Sequence, residues 1–170
     1  IPPQGNVIIL SDEDDLADTI RPRLDAMGAN VNNIYSCRAK LDIQTRKRQA
    51  ISLLDVGVLK KLIREKSAKL VVVDPIHAFI GGTTDVNSVT AVRPVLRDMA
   101  DLAKECNCSF LLVMHPSKGA KDTALDQLHG SIAFGATVRS VLMLGQDKND
   151  PNIKTAVQIK LNVARHGRAF

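Results

Sequence analysis

The residues best suited to chemistry stand at the ends of apolar runs. Leu70-Val71-Val72-Val73 is followed by Asp74, and Val7-Ile8-Ile9-Leu10 runs into Ser11-Asp12-Glu13-Asp14-Asp15. A third run, Ser109 to Met114, stops at His115-Pro116 and leads into Ser117-Lys118-Gly119. A carboxylate after a buried strand suits a magnesium-bound water, because magnesium takes hard oxygen ligands and keeps several waters of its own. Asp74 has that placing. Glu13, on the tip of a neighbouring strand, lies near enough to polarise a water attacking a γ-phosphate. Each residue also has a plain structural reading: Glu13 as a helix cap, Asp74 as a loop residue, His115 as a satisfied half-buried imidazole, Lys118 as a solvated cation. For capping, Asp12, Asp14 and Asp15 are the better candidates. Three such tips together, followed by a loop rich in Lys, Gly and Ser, point to a phosphate site.

Continuous apolar runs bounded by polar residues are the pattern of strands buried on both faces of a parallel sheet. The pattern predicts strands at Val7–Leu10, Val31–Ser36, Leu70–Val73 and Ser109–Met114. Two further strands are predicted at Val141–Leu144 and Ala156–Leu161, joined by a hairpin-like turn over Gly145 to Asn152. Helices are predicted from about Asp14 to Met27, ended by Gly28, then over Ile51–Lys66 and Val86–Glu105. The basic stretch Arg38 to Gln49 reads as a loop. Its Arg46-Lys47-Arg48 core, with Arg38 and Lys40 upstream, is the densest cationic run, and a solvated surface is its default reading. Strand-helix alternation predicts an α/β domain with a mostly parallel central sheet, with the polar tips facing a crevice at the carboxyl ends of its strands.

The 170 residues suit one domain, and 45% apolar with 24% charged is a globular balance that excludes disordered and fibrous classes. No apolar run approaches the roughly 20 residues a membrane-crossing helix needs. The chain opens Ile1-Pro2-Pro3 without an initiator methionine or a basic region before an apolar one, as expected of a piece cut from a longer polypeptide. Three cysteines and no CxxC pair argue for buried thiols in a reducing cytoplasm. A net charge of +5 permits contact with a polyanion without establishing it.

Leu70 to Asp74 has the form of a Walker B strand. Together with Ile8-Ile9-Leu10-Ser11-Asp12-Glu13-Asp14, His115-Pro116-Ser117-Lys118-Gly119, His129-Gly130-Ser131-Ile132-Ala133 and Ile159-Lys160-Leu161-Asn162, it resembles the RecA-fold ATPases over nearly the whole chain. Within them the match is to the hexameric plasmid replicative helicase (RepA-like) group and its prophage and primase-linked relatives. The resemblance implies a three-layer α/β/α RecA-like domain over residues 1–170, truncated at its N-terminus, that uses ATP and Mg2+. It implies Glu13 as the water-activating glutamate and Asp74 as the magnesium ligand. His115 becomes the residue that senses the γ-phosphate, and Lys118 one that reaches the same phosphate or a DNA backbone. Lys160 and Arg165 become cations reaching a neighbouring subunit's nucleotide. Single-stranded DNA, or RNA, would contact the loop Ser117 to Leu128, which has no aromatic for stacking, so that contact would be directed at the backbone.

One departure is large. The phosphate cradle G-x-x-x-x-G-K-[ST] is expected before the Val7 strand, and no Gly-Lys-Ser or Gly-Lys-Thr occurs in the chain. Three readings follow: the ATPase core of a replicative helicase or helicase-like motor without its cradle, a non-catalytic RecA-fold DNA-binding or assembly module, or another α/β enzyme for a small phosphorylated ligand.

Overall fold

The computed structural model describes residues 4–42, 45–82, 84, 88–115, 132–147 and 149–162. Along the chain the elements are β1 (Asn6–Ser11), a π-helical turn (Leu16–Ile20), α1 (Arg21–Ala26), a 3-10 turn (Val31–Asn33), β2 (Ile34–Ser36), β3 (Ala39–Leu41) and β4 (Arg48–Ala50). There follow α2 (Val56–Glu65), β5 (Ala68–Asp74), α3 (Ile76–Phe79), α4 (Val89–Cys106), β6 (Ser109–Leu112), α5 (Ile132–Thr137), β7 (Ser140–Gln146) and β8 (Lys154–Leu161). Two compact units emerge, Ile1–Thr84 with Arg97–Met114, and Asp85–Leu96 with His115–Phe170.

The first unit is built on a parallel sheet in the order β2-β1-β5-β6. Parallel strands need covered faces, and the sequence supplies apolar residues for both. Ile8 and Leu10 of β1 lie in register with Val71 and Val73 of β5, so all four share one face, and none is more than 1% exposed. Burying each of these side chains is worth about 1.5–3 kcal/mol. The α2 helix packs against β5, with Leu59 and Ile63 buried. On the other face, Ile9 meets Leu16, Ile20 and Leu24 across a cavity of about 130 Å3.

The helix predicted from Asp14 is shorter and two-part. Asp15 caps the π-helical turn by accepting from the Ala17 and Asp18 amides at 2.7 and 3.2 Å, and α1 ends at Ala26, two residues before Gly28, whose φ is +68°. The helix predicted from Ile51 begins only at Val56: the Asp55 carboxylate accepts from the Ser52 amide at 2.9 Å, and the Leu53 amide donates to the Phe79 carbonyl at 2.7 Å. Glu105 of α4 accepts from Lys60 and Arg64 of α2 at 2.5 and 2.9 Å. These contacts hold its carboxyl below the usual range, the Lys60 hydrogen bond foremost.

A clear difference from expectation falls on Arg38 to Gln49. Where the sequence reads as a loop, β3 and β4 form an antiparallel ribbon with Lys40 opposite Gln49 and Leu41 opposite Arg48.

In the second unit β7 and β8 pair antiparallel over the predicted positions. The turn between them is closed by Asp147, which accepts from the Asn149 and Asp150 amides at 2.8 and 3.1 Å. Of the three free thiols, Cys108 is buried while Cys37 and Cys106 are half-buried. Burial pushes the Cys37 and Cys108 thiols above their ordinary value. Among the described residues no helix is long and apolar enough to cross a membrane.

Candidate active site

Parallel pairing of β1 with β5 brings the two acidic strand ends together. Ser11, the last residue of β1, is the register partner of Asp74, the last residue of β5. Pairing continues one step further, since the Asp12 amide donates to the Asp74 carbonyl at 3.1 Å. Glu13 follows directly, exposed to solvent on the segment leaving β1. The third strand end is tied in by the backbone as well: the Val113 amide donates to the Val73 carbonyl and the Ile76 amide to the Val113 carbonyl, both at 2.9 Å. His115 lies two residues beyond Val113 and is exposed.

The acidic run after β1 divides its labour. Asp14 takes the Arg23 guanidinium on its carboxylate at 2.7 Å, and its carbonyl accepts from Arg38 at 2.7 Å and from the buried Ser11 hydroxyl at 3.4 Å. Asp15 is the helix cap. The Asp18 and Ala17 amides, with the nearby Arg38 charge, hold its carboxyl below the ordinary value. Asp74 is left differently: half-buried, with no hydrogen bond or ion pair on its carboxylate among the described residues. A half-buried carboxylate without a protein partner is the donor a hydrated magnesium ion takes. No group of three or more acidic, histidine or cysteine side chains converges among the described residues.

A small cleft lies beside the end of β1. Its volume is about 90 Å3, and it is bounded by Ser11, Asp12, Arg38, Ile51 and Phe79. That accommodates a few atoms, whereas sites for whole small ligands run to roughly 300–1,000 Å3. Neither Glu13 nor Asp74 lines this cleft.

Lys160, on β8, donates to the Gly135 and Ala136 carbonyls at 2.6 and 2.9 Å. These carbonyls are among the last of α5, groups that have no partner within the helix, so the ammonium satisfies a helix end in the second unit. Lys118 and Arg165, with the loop Ser117 to Leu128, lie outside the described residues. Arg38 was not singled out for the strand tips by sequence reading. Its contacts with Asp14 and Asp15 span more than twenty positions, and no local spacing announces them.

A mostly parallel sheet with flanking helices and acidic residues at adjacent strand ends defines a RecA-like P-loop ATPase fold. The crystal structure of the RadB recombinase has this fold, with a TM-score of 0.63 at 14% identity, covering 97% of this chain and 73% of that chain. The chain belongs to the AAA domain family, whose model matches residues 1–121. No curated protein matches it. It is an ATPase-type nucleotide-binding module.

Proposed function

We propose that this chain is the ATPase core of a replicative helicase or helicase-like DNA motor of the RepA-like group. It would work in the cytoplasm as a ring, with six subunits and ATP bound at their interfaces, on single-stranded DNA. The observation that supports the proposal is the register of Ser11 with Asp74, which puts Asp74 beside the end of the strand whose chain continues to Glu13. Asp74 would hold a magnesium-bound water through its carboxylate, which has no partner among the described residues. When bound, magnesium neutralises charge developing on the phosphate oxygens. The Glu13 carboxylate accepts a proton from the attacking water. His115 and Lys118 are the groups assigned to the γ-phosphate. Lys160 and Arg165 are assigned to a neighbouring subunit's nucleotide, a role in which Lys160 would exchange the Gly135 and Ala136 carbonyls for phosphate oxygens.

The phosphate cradle is assigned to chain outside these 170 residues. Among the described residues β6 has no partner on its outer edge, and Leu111 on that strand is 51% exposed. An open edge of this kind normally receives a further strand or a cover.

In the full-length protein, Glu13→Gln is expected to slow magnesium-dependent phosphate release by about 100-fold or more while nucleotide binding is retained. Turnover at the wild-type rate would remove Glu13 from this role. The absence of any Gly-Lys-Ser or Gly-Lys-Thr favours a second reading, a non-catalytic RecA-fold DNA-binding or assembly module. A full-length protein that binds no Mg-ATP would establish that reading instead.

A further inference from the structure

The ribbon of β3 and β4 uses its cations in two ways. Between positions 38 and 50 there are five basic side chains and one carboxylate. The basic residues nearest the ribbon's base anchor it. Arg38 holds the Asp14 carbonyl and the Asp15 carboxylate, and Lys40 is paired with the half-buried Asp55. Asp55 in turn accepts from the Ser52 amide at 2.9 Å, and the Ser52 hydroxyl donates to the Phe79 carbonyl at 3.1 Å. The base is therefore fastened beside the strand ends of β1 and β5. At the far end Asp42 closes the turn, accepting from the Thr45 amide at 2.8 Å and the Gln49 side chain at 2.9 Å.

That leaves Arg46, Lys47 and Arg48, consecutive and exposed, with no side-chain partner among the described residues. Two-stranded ribbons this short are marginal by themselves, and three adjacent like charges at the tip add repulsion. Packing gives no return for that cost, since residues 45–50 are all exposed. Lys47 and Arg46 precede β4 and Arg48 opens it, so the three charges stand together at the turn end of the ribbon. An extended polyanion meets such a tip well. Large apolar side chains for insertion into a lipid surface are few here: Leu41 is exposed, and the described part of the ribbon has no aromatic.

We infer that the Arg46-Lys47-Arg48 tip of this ribbon is a contact site for the phosphate backbone of a single-stranded nucleic acid. The choice of nucleic acid among polyanions rests on the motor reading above; the charge geometry does not. Without an aromatic for base stacking, the contact is sequence-tolerant and steeply salt-dependent.

The test uses the full-length protein and fluorescent 30-nucleotide oligo-dT and oligo-U, with anisotropy followed from low to high salt in the absence of nucleotide. Replacing all three residues by alanine is expected to weaken binding about tenfold or more at moderate salt. It should also flatten the log–log salt slope by about 2, at roughly 0.7 per lost phosphate contact. A variant with Arg46→Lys and Arg48→Lys keeps the charge and is expected to bind as wild type. An unchanged slope and affinity in the alanine variant would overturn the inference, as would wild-type protein that binds anionic phosphatidylserine vesicles but neither oligonucleotide. Because binding is read without hydrolysis, active turnover by Glu13→Gln would end the catalytic assignment and leave this result standing.

Discussion

Ser11 and Asp74 are register partners at the ends of neighbouring parallel strands, and the Asp12 amide extends their pairing by donating to the Asp74 carbonyl at 3.1 Å. Parallel pairing makes both chains run out of the sheet on the same side, so carboxylates that are distant in sequence leave it together. The positions are set by buried side chains below them, Leu10 and Val73, which pack in register on one face of the sheet.

Asp74 can be altered without a structural penalty, because its carboxylate has no protein partner among the described residues. For Asp74→Asn we expect unfolding free energy to stay within about 0.5 kcal/mol of wild type. Magnesium-dependent hydrolysis by the full-length protein should fall by about 100-fold or more, because the neutral amide is a poor ligand for a hard cation. Urea unfolding and phosphate release, measured on the same preparation, separate the two effects. A large stability loss would show that Asp74 is a structural carboxylate.

Asp15 gives a pH dependence of defined sign. Amides of Asp18 and Ala17 hold its folded-state carboxyl below the ordinary aspartate value. Its ionised form therefore adds stability above the unfolded-state pKa, and that contribution is lost as pH falls through the lower, folded-state value. Asn at this position keeps the cap and cannot titrate. Melting temperatures of wild type and Asp15→Asn should differ by a constant amount between pH 5 and 7, with wild type the higher. Below about pH 4 the gap should close. A gap independent of pH down to 2 would rule out the carboxylate's charge as its cause.

Gly81 ends the α3 segment with φ of +106°, a backbone conformation that side chains disfavour, and an added Cβ would lie 3.0 Å from Leu54 Cδ1. Leu54 is half-exposed and can move aside, so backbone strain dominates the cost. Gly81→Ala should lower stability by about 1–3 kcal/mol in urea unfolding. A neutral result would mean that the segment after α3 re-forms in another conformation.

Strands were readable because their residues satisfy both faces of a parallel sheet. Val7–Leu10 and Leu70–Val73 are apolar without interruption, and they became neighbouring central strands. The site's outline followed from that topology, since residues after such strands must emerge at one edge. The ribbon of β3 and β4 was not readable: Arg38 to Gln49 has little apolar alternation and no Asn-Gly or Asp-Gly turn. It is held by Asp42 within the turn and by the distant Lys40–Asp55 pair. Helix starts failed for a related reason. The turn of Ser52 with Asp55, tied to the Phe79 carbonyl by the Ser52 hydroxyl and the Leu53 amide, precedes α2, and periodicity carries no record of it.

The amides of Asp12, Val113 and Ile76 bind carbonyls of Asp74, Val73 and Val113 in turn, beyond the paired strand residues. They act as stitches across the exits of three strands. The three exits are hemmed to one another by backbone alone, whatever side chains stand on them.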